Sequence, residues 1–296
     1  MSSSSIVTEE NFLLYHKIAS TFIAIIAVIA AIGNSLIVAV TIRSKKLHNP
    51  CNILIGIQAF SDVIQLSSHF PWVYFAYKEI SVSMRTCYFI TLPSTFSMDF
   101  STLIMLFIAL DRLISSKYVL FYRNLHHKYY FGFILTASLV CCVVMRVFFY
   151  MSLIEADTVC FIIATAVGTM VYVWFFALAT VNIAVVVIYF VIRRQIKYVP
   201  TDYEKINKSI QSIIVVYIFG WLFTTVASSL TIMLTSDIML IRTVALFDGI
   251  GANLHVAAQF FIYYFRSNLY NEEFKRLFGI KNIQVSTVSP DSNKST

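Results

Sequence analysis

Seven stretches of this chain are each long and apolar enough to cross a lipid bilayer, and no other feature of the sequence restricts its fold as much. A hydrocarbon core about 30 Å thick needs about 20 apolar residues at a helical rise of 1.5 Å each. Residues 18–42, 159–192 and 209–236 contain no charged residue, while 51–77 contains only Asp62, 88–110 only Asp99, 129–154 only Arg146 and 243–265 only Asp248. The fifth stretch exceeds one crossing, so its start, including Cys160, is assigned to the preceding loop. Seven such segments packed as the core of a soluble protein would leave no amphipathic helix to face water. With 58% hydrophobic and 12% charged residues among 296, the expected fold is an all-α membrane protein, a seven-transmembrane helix bundle.

The cations orient that bundle, because Lys and Arg in short loops stay on the cytoplasmic side. With the N-terminus outside, 17 of the 22 Lys and Arg fall on inner segments, and the other five (Lys17, Lys78, Arg85, Arg146 and Arg242) on the outer side or outer helix ends. The net charge of +7 therefore expresses topology, and no nucleic-acid partner is called for. Residues 1–17 are Ser-rich and carry Glu9 and Glu10, unlike the basic start of a cleaved signal. The reading is an extracellular tail at 1–17, the bundle at 18–265, an amphipathic helix at 266–279 on the inner leaflet, and a disordered cytoplasmic tail at 280–296. In the amphipathic segment Tyr270, Phe274, Leu277 and Phe278 share one face beside Lys275 and Arg276, the pattern of a helix lying on a membrane.

The outer loops are too short to form a ligand-binding ectodomain, so a ligand must enter between the outer halves of the helices, which favours a small molecule or short peptide. Cys87, at the outer start of the third span, and Cys160, in the loop before the fifth, lie in an oxidising compartment and are expected to form a disulfide. No Cys or His spacing matches a zinc site. A charge at the bilayer centre costs roughly 2.5–3.5 kcal/mol on insertion scales and is normally functional. Asp99 and Asp248 either face a pocket or pair within the bundle, and the pocket is the reading adopted. Arg112 lies 25 residues after Cys87, about 37 Å of helix, so Asp111-Arg112 marks the inner membrane edge. Such a pair is either an interfacial anchor or a switch that pairs locally at rest and reaches an intracellular partner when released.

Together these residues resemble the rhodopsin-like (class A) G-protein-coupled receptors, and within them the nematode serpentine chemoreceptors of the Srsx type. The similarity rests on Gly33-Asn34, Lys45-x-Leu47, Asn52-Ile53-Leu54-Ile55, Ala59-x-x-Asp62 with Pro71, Cys87, Asp111-Arg112-Leu113, Gly220-Trp221 and Tyr263-Tyr264-Phe265-Arg266-Ser267, in that order. It implies that Arg112 contacts a G protein, that Asp111 is its resting partner and that Tyr263 is a helix-seven switch. It also implies a polar cluster of Asn34, Asp62 and Ser101 that binds sodium at Asp62, and a pocket floored by Trp221. Ser94, Met98, Asp99 and Asp248 complete the candidate pocket. The chain departs from the family in lacking Pro in helices five to seven, in reading Gln259-Phe260 where the family has Asn-Pro, and in lacking the Trp of helix four. Gly220 is then the expected source of flexibility in helix six. No Lys lies in helix seven after Arg242, which excludes a retinal Schiff base, and Ser94 at the position of the amine receptors' acid argues against an aminergic ligand.

The function expected is that of a plasma-membrane receptor for a small molecule or short peptide, coupled to a heterotrimeric G protein. It has no enzymatic activity and no cofactor beyond the candidate sodium ion. An ion-coupled secondary transporter is the alternative; it usually shows internal repeats and broken helices, and no repeat is visible.

Overall fold

A computed structural model describes residues 7–196, 216 and 218–280. The basic loop between the fifth and sixth spans, and the expected tail from residue 281 on, lie outside the described residues. Among the described residues ten α-helices follow in order: α1 (Glu9–Arg43), α2 (Pro50–Ser67), α3 (His69–Lys78), α4 (Met84–Lys117), α5 (Val119–Arg123), α6 (His127–Met151), α7 (Thr169–Ile196), α8 (Phe223–Leu234), α9 (Ile238–Arg266) and α10 (Asn268–Leu277). A π-helical turn, Ile218–Leu222, leads into α8. The crossings are α1, α2 with α3, α4, α6, α7, the π-turn with α8, and α9, an all-α seven-transmembrane bundle. Four helices (α1, α6, α7 and α9) are long and apolar enough to cross a membrane by length and composition alone. The other crossings are shorter, or are diluted by Ser, Thr, Gln and Asp that turn inward.

Local chemistry sets the helix ends. The Thr8, Asn49, Ser83, Asp237 and Ser267 side chains accept backbone N–H groups in the first turns of α1, α2, α4, α9 and α10, satisfying donors with no intrahelical partner. The second crossing is broken between Ser67 and His69. Pro71 has no N–H for the Ser67 carbonyl, and its ring crowds that oxygen. Residues 9–17, counted with the tail from hydropathy, continue α1 as helix.

The burial pattern is inverted relative to a soluble bundle. Phe22, Ile25, Ile32, Phe133, Val143 and Phe176 face outward, while Asn34, Asp62, Gln65, Ser94, Asp99 and Asn182 are buried. In lipid, polar groups must find partners inside the protein. α1 packs on α2 and α9; α4 touches α2, α6 and α7; α8 lies against α7 and α9. Close approach uses small residues, as membrane bundles commonly do. A Cβ on Gly33 would come within 2.6 Å of Phe260, and one on Gly220 would collide with the Cβ of His255.

At one end, two three-residue strands, Ser81–Ser83 and Asp157–Val159, pair antiparallel with Val82 opposite Thr158. This hairpin was not expected from the sequence. Next to it the Cys87–Cys160 disulfide is formed, with a Cα–Cα distance of 5.4 Å. At the opposite end α10 packs Tyr270 and Phe274 against Tyr263, Ile37 and Leu54.

Candidate functional site

Below the disulfide lies a narrow chamber of about 70 Å³, lined by residues that include Met98, Trp174, Trp221, Ser228, Asp248 and Asn253. Asp248 is the only formally charged residue among the described residues that line it. The Ser228 hydroxyl donates to Asp248 Oδ2 at 2.5 Å, and His69 Nε2 lies 2.9 Å from Asn253 Oδ1. A larger vestibule of about 510 Å³ adjoins the chamber. Phe161, Ile163, Phe175, Ser228 and Ala245 line both spaces. Phe161 and Ile163 directly follow Cys160, so the disulfide ties this partition to α4.

Three of the five expected pocket residues, Met98, Trp221 and Asp248, line the chamber. Ser94 and Asp99 do not. Ser94 is buried between helices, its hydroxyl 3.3 Å from the Ile64 carbonyl oxygen of α2. Asp99 is paired within the bundle: Arg146 Nη2 reaches Oδ2 at 2.5 Å and Trp174 Nε1 donates to Oδ1 at 2.9 Å. The Arg146 guanidinium lies 4.5 Å from the Phe149 ring centroid and 5.9 Å from that of Trp174. Tyr88 donates to the Arg146 carbonyl oxygen at 2.7 Å. This corrects the placement of both ions: Arg146 reaches into the bundle rather than standing as an end charge, and it occupies the carboxylate a ligand would need.

Asp62 and Ser101 come together as expected, with a hydrogen bond of 2.6 Å. Gln259 stands beside the same carboxyl. Asn34 donates to the Ala30 and Val256 carbonyl oxygens. Asp62 Oδ2 and Asn34 Oδ1 are buried without a hydrogen-bond partner among the described residues.

At the other end of α4 the Asp111-Arg112 pair is not closed. Asp111 accepts a hydrogen bond of 2.9 Å from the Tyr122 hydroxyl of α5. Burial and the neighbouring carboxylate hold that hydroxyl protonated, its pKa raised well above the usual range. Among the described residues Arg112 forms no ion pair with Asp111; Cys51, Tyr189 and Tyr263 surround it instead. The expected resting partner is thus engaged by a tyrosine of the α4–α6 connection. Arg112 stands beside Tyr189 of α7 and Tyr263 of α9, with Asp111 still within electrostatic reach.

Sequence reasoning missed His69, Gln65, Asn253, Trp174 and Tyr189. The first three are polar residues within apolar stretches and were findable by the rule that singled out the acids, which was applied to formal charges only. Trp174 and Tyr189 carry no such signal among 26 Phe and 17 Tyr.

Trp221 connects the two ends. It packs with Met98, Trp174, Phe175 and Leu178 around the chamber, and also with Met105, Val185 and Tyr189 further along the bundle. A binding space at one end, joined to the other end by packed side chains, is the layout of a membrane receptor. The chain belongs to the family of serpentine type 7TM GPCR chemoreceptors, Srsx, whose model matches residues 27–278. It is accordingly a multi-pass membrane protein with a chemosensory receptor role. A search of curated proteins found no match.

Proposed function

We propose that the chain is a plasma-membrane receptor, its N-terminus outside and its C-terminus in the cytoplasm, that couples binding of a small molecule or short peptide in the chamber to a heterotrimeric G protein at Arg112. The observation that carries the proposal is the position of Trp221, whose side chain is part of the chamber wall and of the cluster holding Tyr189, which itself stands beside Arg112. A ligand that prefers one packing of Trp221 shifts the population of that packing by its differential affinity. The π-turn at Ile218–Leu222 takes the place of a proline as the irregular point in this crossing.

Asp62 with Ser101 has the chemistry to hold a monovalent cation, a carboxylate and a hydroxyl, with Asp62 Oδ2 unpartnered among the described residues. Such an ion would supply a positive charge that no Lys, Arg or His among the described residues brings to this carboxylate. Gln259 supplies an amide at that level of α9.

Recruitment of G protein to the receptor, measured across a chemical panel, tests the proposal. Arg112→Ala is expected to keep ligand binding and lose recruitment, while Trp221→Ala weakens both. Normal recruitment in Arg112→Ala would overturn the assignment.

A further inference from the structure

Among the described residues the chamber and the vestibule are each lined by one formally charged side chain, and the two signs are opposite. Asp248 lines the chamber and Arg242 the vestibule. Both belong to α9, six residues apart, so their backbones are separated by about 9 Å along the helix. Between them lies Ala245, and the residues that border both spaces, past which a ligand spanning them would run, are apolar except Ser228.

Among the described residues neither charge is matched by a partner of opposite charge. Arg242 is half-buried, and the ion pairs formed among the described residues are Lys17–Glu79, Arg146–Asp99 and Arg276–Glu273. Asp248 has a single hydrogen bond, from Ser228, and a carboxylate can accept several. Asp99, by contrast, receives both a guanidinium and an indole N–H.

We propose that the ligand is bipolar: an acidic group held by Arg242 in the vestibule, a hydroxyl or amine donating to Asp248 in the chamber, and an apolar body of roughly 9 Å between them. The guanidinium fork pairs bidentately with a carboxylate or phosphate. A plain amine passing the vestibule meets Arg242 as a like charge, and a plain fatty acid leaves Asp248 without its donor. The bordering residues Phe161, Ile163 and Phe175 suit an aliphatic or aromatic body.

The proposal deepens the receptor reading and rests on it for what the site is used for, although binding can be measured without any G protein. The full chain in lipid nanodiscs is heated with ω-hydroxy and ω-amino carboxylic acids of six to twelve carbons, with their methyl esters, and with the unsubstituted acids. Stabilisation by the bipolar acids is expected at concentrations at least tenfold lower than for the esters or the unsubstituted acids. Arg242→Gln should erase the preference for acid over ester, Arg242→Lys should retain it in weakened form, and Asp248→Asn should erase the preference for the ω-amino or ω-hydroxy group. Equal stabilisation by all three series, no stabilisation by any, or an acid preference that survives in Arg242→Gln would overturn the proposal. Recruitment of G protein, read on the same compounds, separates the two ideas. Stabilisation without recruitment counts against the receptor reading and leaves the ligand class standing; recruitment by compounds lacking an acid or a donor does the reverse.

Discussion

Asp99 and Asp248 sit in the same disulfide-side half of the bundle and have opposite circumstances. Asp99, on α4, is bound by Arg146 of α6 and Trp174 of α7, so three helices meet at one carboxylate. Asp248, on α9, receives one hydroxyl from α8 and opens on a cavity. A carboxylate already supplied with a cation and an N–H has little left to offer a ligand, whereas one with a single hydroxyl does. The α4–α7 side of the chamber is therefore braced by a paired carboxylate that reaches α6, while the α8–α9 side presents a carboxylate to the cavity.

The largest effect separating the two sides is expected from Asp99→Ala. It leaves Arg146 buried and unpaired, and breaking a buried ion pair costs about 3–5 kcal/mol. Folded yield and melting temperature in detergent should both fall sharply. Replacing both residues with leucine should recover most of the loss, since the pair as a whole is worth far less than one orphaned member. If Asp99→Ala melts like the parent, the braced side is not held by charge. On the other side, where contact takes the place of charge, Gly220→Ala drives a Cβ into His255. Overpacking of this kind costs about 1–3 kcal/mol, and basal G-protein recruitment should change together with the melting temperature; an unchanged basal signal would mean that the π-turn absorbs the methyl.

Asp248→Asn should shift melting by about 0.6 kcal/mol, the average worth of a transmembrane side-chain hydrogen bond. Its ligand response should nevertheless fall, and a stability loss as large as that of Asp99→Ala would erase the distinction between the two acids. Smallest of all is Ser94→Ala, whose hydroxyl meets only the Ile64 carbonyl oxygen. Its dose–response curve should superimpose on the parent's, and a displaced curve would return Ser94 to the pocket.

The spans and the disulfide partners were legible because each depends on properties that run along the chain: apolar length, and position relative to a membrane edge. The Asp62–Ser101 contact was legible through the resemblance. The Asp99–Arg146 pair was not. Depth counting puts Asp99 about 18 Å of helix from Cys87 and Arg146 about 8 Å from the Met151 end of α6, which looks like two different levels. They meet because arginine is long and because adjacent helices are offset along their axes, and a single sequence contains no record of that offset. For a similar reason Asp111 was assigned to its chain neighbour. Tyr122 reaches it only because the short helix α5 turns back under α4.

The partition between chamber and vestibule has a chemical dependence of its own. Phe161 and Ile163 are one and three residues beyond Cys160, whose bond to Cys87 closes a loop with a sequence separation of 73. Reduction removes that covalent tie and leaves the strand pairing, the hydrogen bond from the Met84 N–H to the Ala156 carbonyl oxygen and the packing of Phe161 on His16 and Trp72 to hold the segment. Ligand selectivity measured in thiol reductants is therefore expected to differ from that of the oxidised receptor, because the residues bordering both spaces lose a covalent anchor.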